Sequence, residues 1–306
     1  MLKQTQKHRS KTFQRTDMTL ISSGICNPRN LSINSKGSIH DDATATELGF
    51  RAGTVAGDIH LEQFGGILVS AFGQQWFETG SLSMYYMHAT ADAEPVEATL
   101  DIGESQTPLH NTQVAARMQT PEGITVAEGT ASVGTNSSPT ALYSRDRRAV
   151  DASTLKMLRH ATPGRPLETI TRQAPGDNQI LRHSKGTMTA PLDWYVGDSP
   201  WGGPICSPLT ACRVLVAGMT ESIEKECGDF VGLYGAIEIQ NHNGPLMLNT
   251  EYTVTGRILD VSDSPKTEVL WFTTEARLAD QPTSAPIASL TMMTRLLKDS
   301  SPLYSA

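Results

Sequence analysis

Apolar positions along this chain follow two periods, and the same succession of periods occurs twice. From Val55 to Gly80, large apolar residues recur at helical spacing: Leu61, Phe64, Leu68, Phe72 and Trp76. Ile59, Ile67, Val69 and Ala71 fill other faces, which predicts a long helix, Val55 to Phe77, buried nearly all round. After Gly80 the pattern changes to strands, in SLSMYYMHATADAEPVEATLDIGESQ and NTQVAARMQTPEGITVAEGTASVG. Turns are signalled at Ala93-Glu94-Pro95 and Pro121-Glu122-Gly123. A second helical stripe runs through Ile205, Leu209, Cys212, Val216, Met219 and Ile223. It predicts a helix from Ile205 to Cys227 with Pro208 in its first turn. Strand-like stretches follow again: LYGAIEIQNHN, LMLNTEYTVTGRILDVSD, KTEVLWFTTEARLAD and PIASLTMMTRLL.

Setting AGTVAG against GGPICS aligns Gly53 with Gly203 and Val55 with Ile205, the same offset at both positions. The similarity is weak, but one repeated unit accounts for the element order. Between the copies, Asn136 to Gln179 is polar and rich in Pro, Arg and Ser. It reads as a linker with short helices at SRDRRAV and DASTLKMLRH. The expected organisation is α+β: a unit over 1–136, a linker over 137–179 and a second unit over 180–306. In each unit an antiparallel sheet wraps around its long central helix, and the two sheets are expected to pair into one continuous surface.

Composition narrows the function classes. A chain of 306 residues, 38% apolar and 19% charged, can bury a sizeable core. A net charge of -7 argues against a nucleic-acid partner, which calls for a basic patch or stripe. No apolar run reaches the length of a membrane span, so no membrane partner is expected. Cys26, Cys206, Cys212 and Cys227 form no C-x-x-C pair and stand at no zinc spacing with a histidine. They read as free, mostly buried thiols in a reducing compartment. The leading MLKQTQKHRSKTFQRTD has no apolar stretch after its charges, unlike a secretory signal. A cytoplasmic location is the expectation, with a mitochondrial transit segment left open. G-x-G-x-x-G and P-loop patterns are absent, so neither nicotinamide nor ATP chemistry, and no other cofactor, is expected.

The candidate chemistry gathers in SIHDDATATELGFRAGTVAGDIH, which ends at the start of the first helical stripe. His40 has the side chain suited to taking and giving a proton near neutrality. Asp41 and Asp42 precede ATATEL, where they fit a helix cap as well as an acid/base role. Asp58 and His60 flank the helix entrance, and Glu62 is the other acid on that helix. Val55, Ala56 and Gly57 supply the backbone at the entrance. His40, Asp42, Asp58 and His60 have no fixed metal-ligand spacing, so no metal is expected.

Ile39, His40, Asp42, Ala45, Gly49, Phe50, Arg51, Gly53 and Gly57 together resemble the signature of MaoC-like proteins. These are the (R)-specific enoyl-CoA hydratases and dehydratases with the hot-dog fold. The resemblance implies a double hot-dog chain and an acyl-CoA, acyl-carrier or other small-molecule carbonyl substrate, with homodimerisation possible. It also implies a hydro-lyase in which an aspartate and a histidine act on water and the acyl α-carbon. The amide matched by Gly57 polarises the thioester carbonyl. One departure stands out. Ser35, not aspartate, occupies the dyad position before His40, and Ala190 stands where the second unit would repeat the histidine. Asp41, Asp42 or Asp58 are candidates for the missing carboxylate. A hot-dog thioesterase using Asp58 or Glu62, and a non-catalytic binding subunit, are the alternatives.

Overall fold

The computed structural model describes residues 19–135, 138–219, 222–223 and 225–304. The basic N-terminal segment and the boundary at 136/137 lie outside the described residues. The first half runs β1 (Leu20–Cys26), α1 (Asp42–Glu47), α2 (Gly57–Glu62), α3 (Gly65–Phe72), α4 (Gln75–Thr79), β2 (Ser81–Tyr86), β3 (Val96–Asp101), β4 (Thr112–Gln119) and β5 (Thr125–Val133). The second runs β6 (Ile170–Gln173), α5 (Gly176–Ser184), α6 (Pro208–Leu215), β7 (Gly232–Asn241), β8 (Glu251–Asp263), β9 (Thr267–Leu278) and β10 (Ala288–Leu297).

All these strands belong to one ten-stranded sheet in the order β1-β3-β4-β5-β2-β7-β10-β9-β8-β6. Read outward from the centre, the two halves have the same order, so the internal repeat is a structural one. They join where β2 pairs antiparallel with β7, Leu82 opposite Ile239 and Met84 opposite Ile237. The expected pairing of the two sheets into one continuous surface is what the fold shows, one open edge of each half being closed against the other. Leu82, Met84, Ile237 and Ile239 all enter the main core.

The long first helix is corrected. Its path is broken into α2, α3 and α4. At the first break the Gln63 side chain donates to the Ile59 carbonyl at 2.9 Å. Gln63 N–H turns back to His60, and Phe64 N–H to Leu61, with the tighter spacing of a 3₁₀ turn. The apolar stripe survives the breaks: Leu61, Phe64, Leu68, Phe72 and Trp76 are all buried in the core. The second helix is likewise interrupted: α6 ends at Leu215, and a short helical segment, Lys225–Cys227, closes the stretch. It opens as expected, with Pro208 in the first turn and Ser207 as N-cap accepting from Thr210 N–H at 3.3 Å. Val55 and Ile59 of the first half pack on Leu209 of α6, and the two central helices cross at this contact.

Between the halves, SRDRRAV is not helical, and DASTLKMLRH forms only the 3₁₀ turn Ala152–Thr154. All four cysteines are buried free thiols. Among the described residues, no helix is long and apolar enough to cross a membrane.

Candidate active site

The His40 loop is held by short-range polar bonds. Asp41 caps α1, its Oδ2 accepting from Thr44 N–H at 3.0 Å and from the Thr44 hydroxyl at 2.9 Å. These donors hold its carboxyl below the usual range. Asp42 reaches back across the loop and accepts from Gly53 N–H at 2.7 Å. Asn30 Nδ2 donates to the His40 carbonyl at 2.8 Å, and Thr54 N–H donates to Ile39 at 2.8 Å. Because His40 Nδ1 lies 2.7 Å from the Thr54 carbonyl, which can only accept, Nδ1 carries the proton. In the neutral ring Nε2 is then the basic nitrogen.

Three residues beyond Thr54 the chain enters α2. Val55 N–H donates to Thr90 at 2.9 Å, which fixes the approach. Ala56 is the N-cap and offers no side-chain bond to the helix, so the first amides have no cap partner. Gly57 opens the helix. Tyr86 Oη donates to the Gly57 carbonyl at 2.6 Å. Its ring lies so close that a Cβ on Gly57 would stand 2.8 Å from Cε2 and 2.9 Å from Cζ. Burial keeps the Tyr86 phenol well above its ordinary value, so it stays protonated. His60, on the next turn, has Nε2 2.9 Å from the Thr90 hydroxyl, while its buried Nδ1 has no partner. Desolvation pushes this imidazole down to about 4, so it is neutral near pH 7.

The helix acids turn away from this entrance. Asp58 Oδ2 accepts from Arg213 Nε of α6 at 3.2 Å, and its buried Oδ1 is unpartnered. Glu62 is bonded at both oxygens to Arg182 of α5, at 2.8 and 2.9 Å, with the pair almost fully buried. Arg182 also reaches the Ser207 hydroxyl at 3.4 Å, tying α2, α5 and the start of α6 into one polar layer.

A cavity of about 840 Å³ runs from the His40 loop into the second half. His40, Val55, Ala56, Gly57 and His60, all singled out from the sequence, line it together. Asp42 and Asp58 are not among its lining residues; they act one layer out, on Gly53 and Arg213. Ser35 is exposed in a turn and also does not line it. Asp229, exposed on the loop before β7, is the acidic residue among the described lining residues. The second half contributes apolar lining from Val216, Met219, Ile223 and Leu270 and, among the described residues, the cation Arg295.

Thr54, which fixes the His40 tautomer, and Arg295 were not found by sequence reasoning. Neither carries a motif. Thr54 acts through its backbone, and Arg295 belongs to a strand distant in sequence. Tyr86 had only the signal of alternation, one of Tyr85 and Tyr86 being due to face inward.

No protein-family model matches the sequence, and no curated protein matches it by sequence. Solved structures do match its fold. One, from Chloroflexus aurantiacus and described as a MaoC domain protein dehydratase, covers 92% of this chain and 95% of its own at 12% identity, TM-score 0.58. A protein of Mycobacterium tuberculosis described as a double hot-dog fold covers 91% of this chain and 96% of its own at 11% identity, TM-score 0.56. A MaoC-like dehydratase covers 92% and 98% at 8% identity, TM-score 0.51. The chain therefore has the double hot-dog fold that these proteins share.

Proposed function

We propose that this protein is a carbon–oxygen lyase that adds or removes water at the β-carbon of an enoyl or β-hydroxy carbonyl compound, with a thioester as the expected substrate. The observation that carries the reading is a convergence. An imidazole with Nδ1–H fixed by Thr54 and the uncapped first turn of α2 at Gly57 line one cavity. General acid/base catalysis and a preorganised oxyanion site are the two devices that enolate chemistry requires.

In the dehydration direction, His40 Nε2 removes a proton from the α-carbon. The C–H electron pair moves into the carbonyl, and Gly57 N–H stabilises the resulting enolate oxygen. The enolate then collapses to form the carbon–carbon double bond. The β-hydroxyl leaves and takes the proton from Nε2–H, departing as water. Hydration runs the same steps in reverse. With Ser35 exposed at the dyad position, one imidazole serves both proton transfers in this scheme. Asp42 holds the loop through Gly53, and His60, neutral beside Thr90, fills the wall without adding charge.

No observation favours thioester hydrolysis by Glu62 or Asp58. The first spends both oxygens on Arg182, and the second accepts from Arg213. Incubation with crotonyl-CoA, followed by the loss of enoyl absorbance, tests the proposal. Hydration without thiol release is the expected result. Release of free thiol contradicts it in favour of a thioesterase, and binding without turnover across a panel of enoyl thioesters contradicts it in favour of a binding subunit.

A further inference from the structure

The cavity's second-half wall contains an arginine, Arg295, that forms no ion pair among the described residues. β10 pairs with β7 through an irregularity. Met293 faces Ala236 and Thr294 faces Tyr234, which leaves Gly235 as the extra residue. Such a bulge re-aims the side chains beside it. A Cβ on Gly235 would stand 2.8 Å from Arg295 Nε and collide with the Met293 methyl group. The bulge glycine thus makes room for the guanidinium to lie across β7.

Alternation places Arg295 on the opposite face of β10 from Thr294 and Leu296. Opposite Thr294 on β9 is Leu270, a residue of the main core, whereas Arg295 faces Val269. Val269 belongs with Trp271, Leu142 and Tyr85 to a separate cluster on the other side of the sheet. Arg295 nevertheless lines the cavity together with Thr294 and Leu296. It therefore stands at an edge of the cavity lining, with its neighbours Tyr85 and Arg145 just outside that lining.

At that edge Arg295 Nη2 donates to Tyr85 Oη at 2.5 Å. Its Nε is buried without a partner. A second guanidinium, Arg145, sits 3.3 Å from the centre of the same tyrosine ring. Neither arginine takes part in an ion pair among the described residues. Glu128 stands opposite Tyr85 on β5, but it also stands opposite Arg117 on β4, a cross-strand neighbour of opposite charge. Two cations gathered on one ring, one with a desolvated and unused donor, form an arrangement that an oxyanion completes.

We infer that Arg295, held by Tyr85 and backed by Arg145, binds an oxyanion on the part of the ligand that leaves the cavity at this edge. Phosphate and carboxylate both fit the guanidinium fork. The apolar lining from Val216, Met219, Ile223 and Leu270 takes the apolar part. The inference rests on this cavity being the ligand site and not on the reaction assigned to it.

Calorimetric titration of the full chain tests it with two probe pairs, coenzyme A against pantetheine and succinate against succinamide. In one pair the charged member binds at least about ten-fold more tightly, the worth of one charge-assisted contact. Arg295→Gln removes that preference, and Arg295→Lys restores part of it. A preference for coenzyme A places the oxyanion on a phosphorylated carrier arm, whereas a preference for succinate places it on a carboxylate ligand. If Arg295→Gln does not fold, Tyr85→Phe, which frees Nη2, reduces the same preference about three-fold. Equal affinities within both pairs, a preference that survives in Arg295→Gln (or in Tyr85→Phe where that variant replaces it), or no binding of any probe overturns the inference. These readouts need no turnover. An inactive protein that keeps the charge preference removes the lyase assignment and leaves the anion site standing.

Discussion

Gly57→Ala perturbs the helix entrance with the fewest atoms. The added methyl would lie 2.8 Å from Tyr86 Cε2 and 2.9 Å from Cζ, where ordinary carbon contacts are about 3.5–4.0 Å. The ring must therefore retreat by roughly 0.7–1 Å or the helix start must move outward by as much. Either response breaks or stretches the 2.6 Å bond from Tyr86 Oη to the Gly57 carbonyl. Overpacking of this kind costs about 1–3 kcal/mol, and the lost hydrogen bond about 1 kcal/mol more. The larger effect falls on chemistry: a displaced oxyanion donor lowers turnover by about 10²-fold. Urea denaturation reads the first quantity and enoyl turnover the second. Tyr86→Phe separates them, because it deletes the hydroxyl and leaves Gly57 N–H in place. It should cost about 1 kcal/mol of stability and change turnover less than about five-fold. Adding Tyr86→Leu to Gly57→Ala relieves the clash and recovers part of the loss in turnover. A Gly57→Ala protein with wild-type kcat would refute the reasoning, because the amide could then move without consequence.

Other outcomes follow from the layer around the site. Arg182→Met strands Glu62 as a buried charge and lowers unfolding free energy by about 3–5 kcal/mol in urea titrations. Replacing both partners by apolar residues costs less than the single change, and a larger loss in the double variant would argue against this account. The His60 imidazole sits at about 4 in the fold against 6.5 in the open chain. The unfolded chain therefore binds the extra proton between these values, and folding loses stability as pH falls through that window. The loss approaches about 3 kcal/mol near pH 4. It is read by comparing wild type with His60→Gln, whose curve should be flatter between pH 6.5 and 4.5. Asp42→Ala frees Gly53 N–H and loosens the loop, lowering kcat about three- to ten-fold with little change in KM. Asp42→Asn, which keeps an acceptor, recovers most of that loss.

What the sequence disclosed followed from what sequence patterns encode. Helical spacing of Leu61, Phe64, Leu68, Phe72 and Trp76 identified the buried stripe, since burial needs only the right face. It did not disclose the break at Gln63, because that depends on one side-chain amide outcompeting the backbone for the Ile59 carbonyl. The repeat was legible in element order, and with it the pairing of the two sheets into one surface. Which strands share the edge hydrogen bonds, β2 and β7, is something neither strand encodes alone. At the site, His40 and Gly57 were legible because both fall at matching positions of the MaoC-like signature that this stretch resembles. Asp58 and Glu62 attracted interest as acids near the helix start, but Arg213 and Arg182, contributed by distant segments, account for them. Arg295 had no local signal at all, since its lack of an ion pair among the described residues is a property of the folded sheet.

The central claim is that the basic nitrogen of His40 carries the protons of the reaction. Its most direct test is turnover of crotonyl-CoA by wild type and His40→Ala, with the fold of each checked by circular dichroism. The account predicts a fall in kcat of about 10²–10⁴-fold with KM changed little. A variant that hydrates the enoyl thioester as fast as the wild type would contradict it.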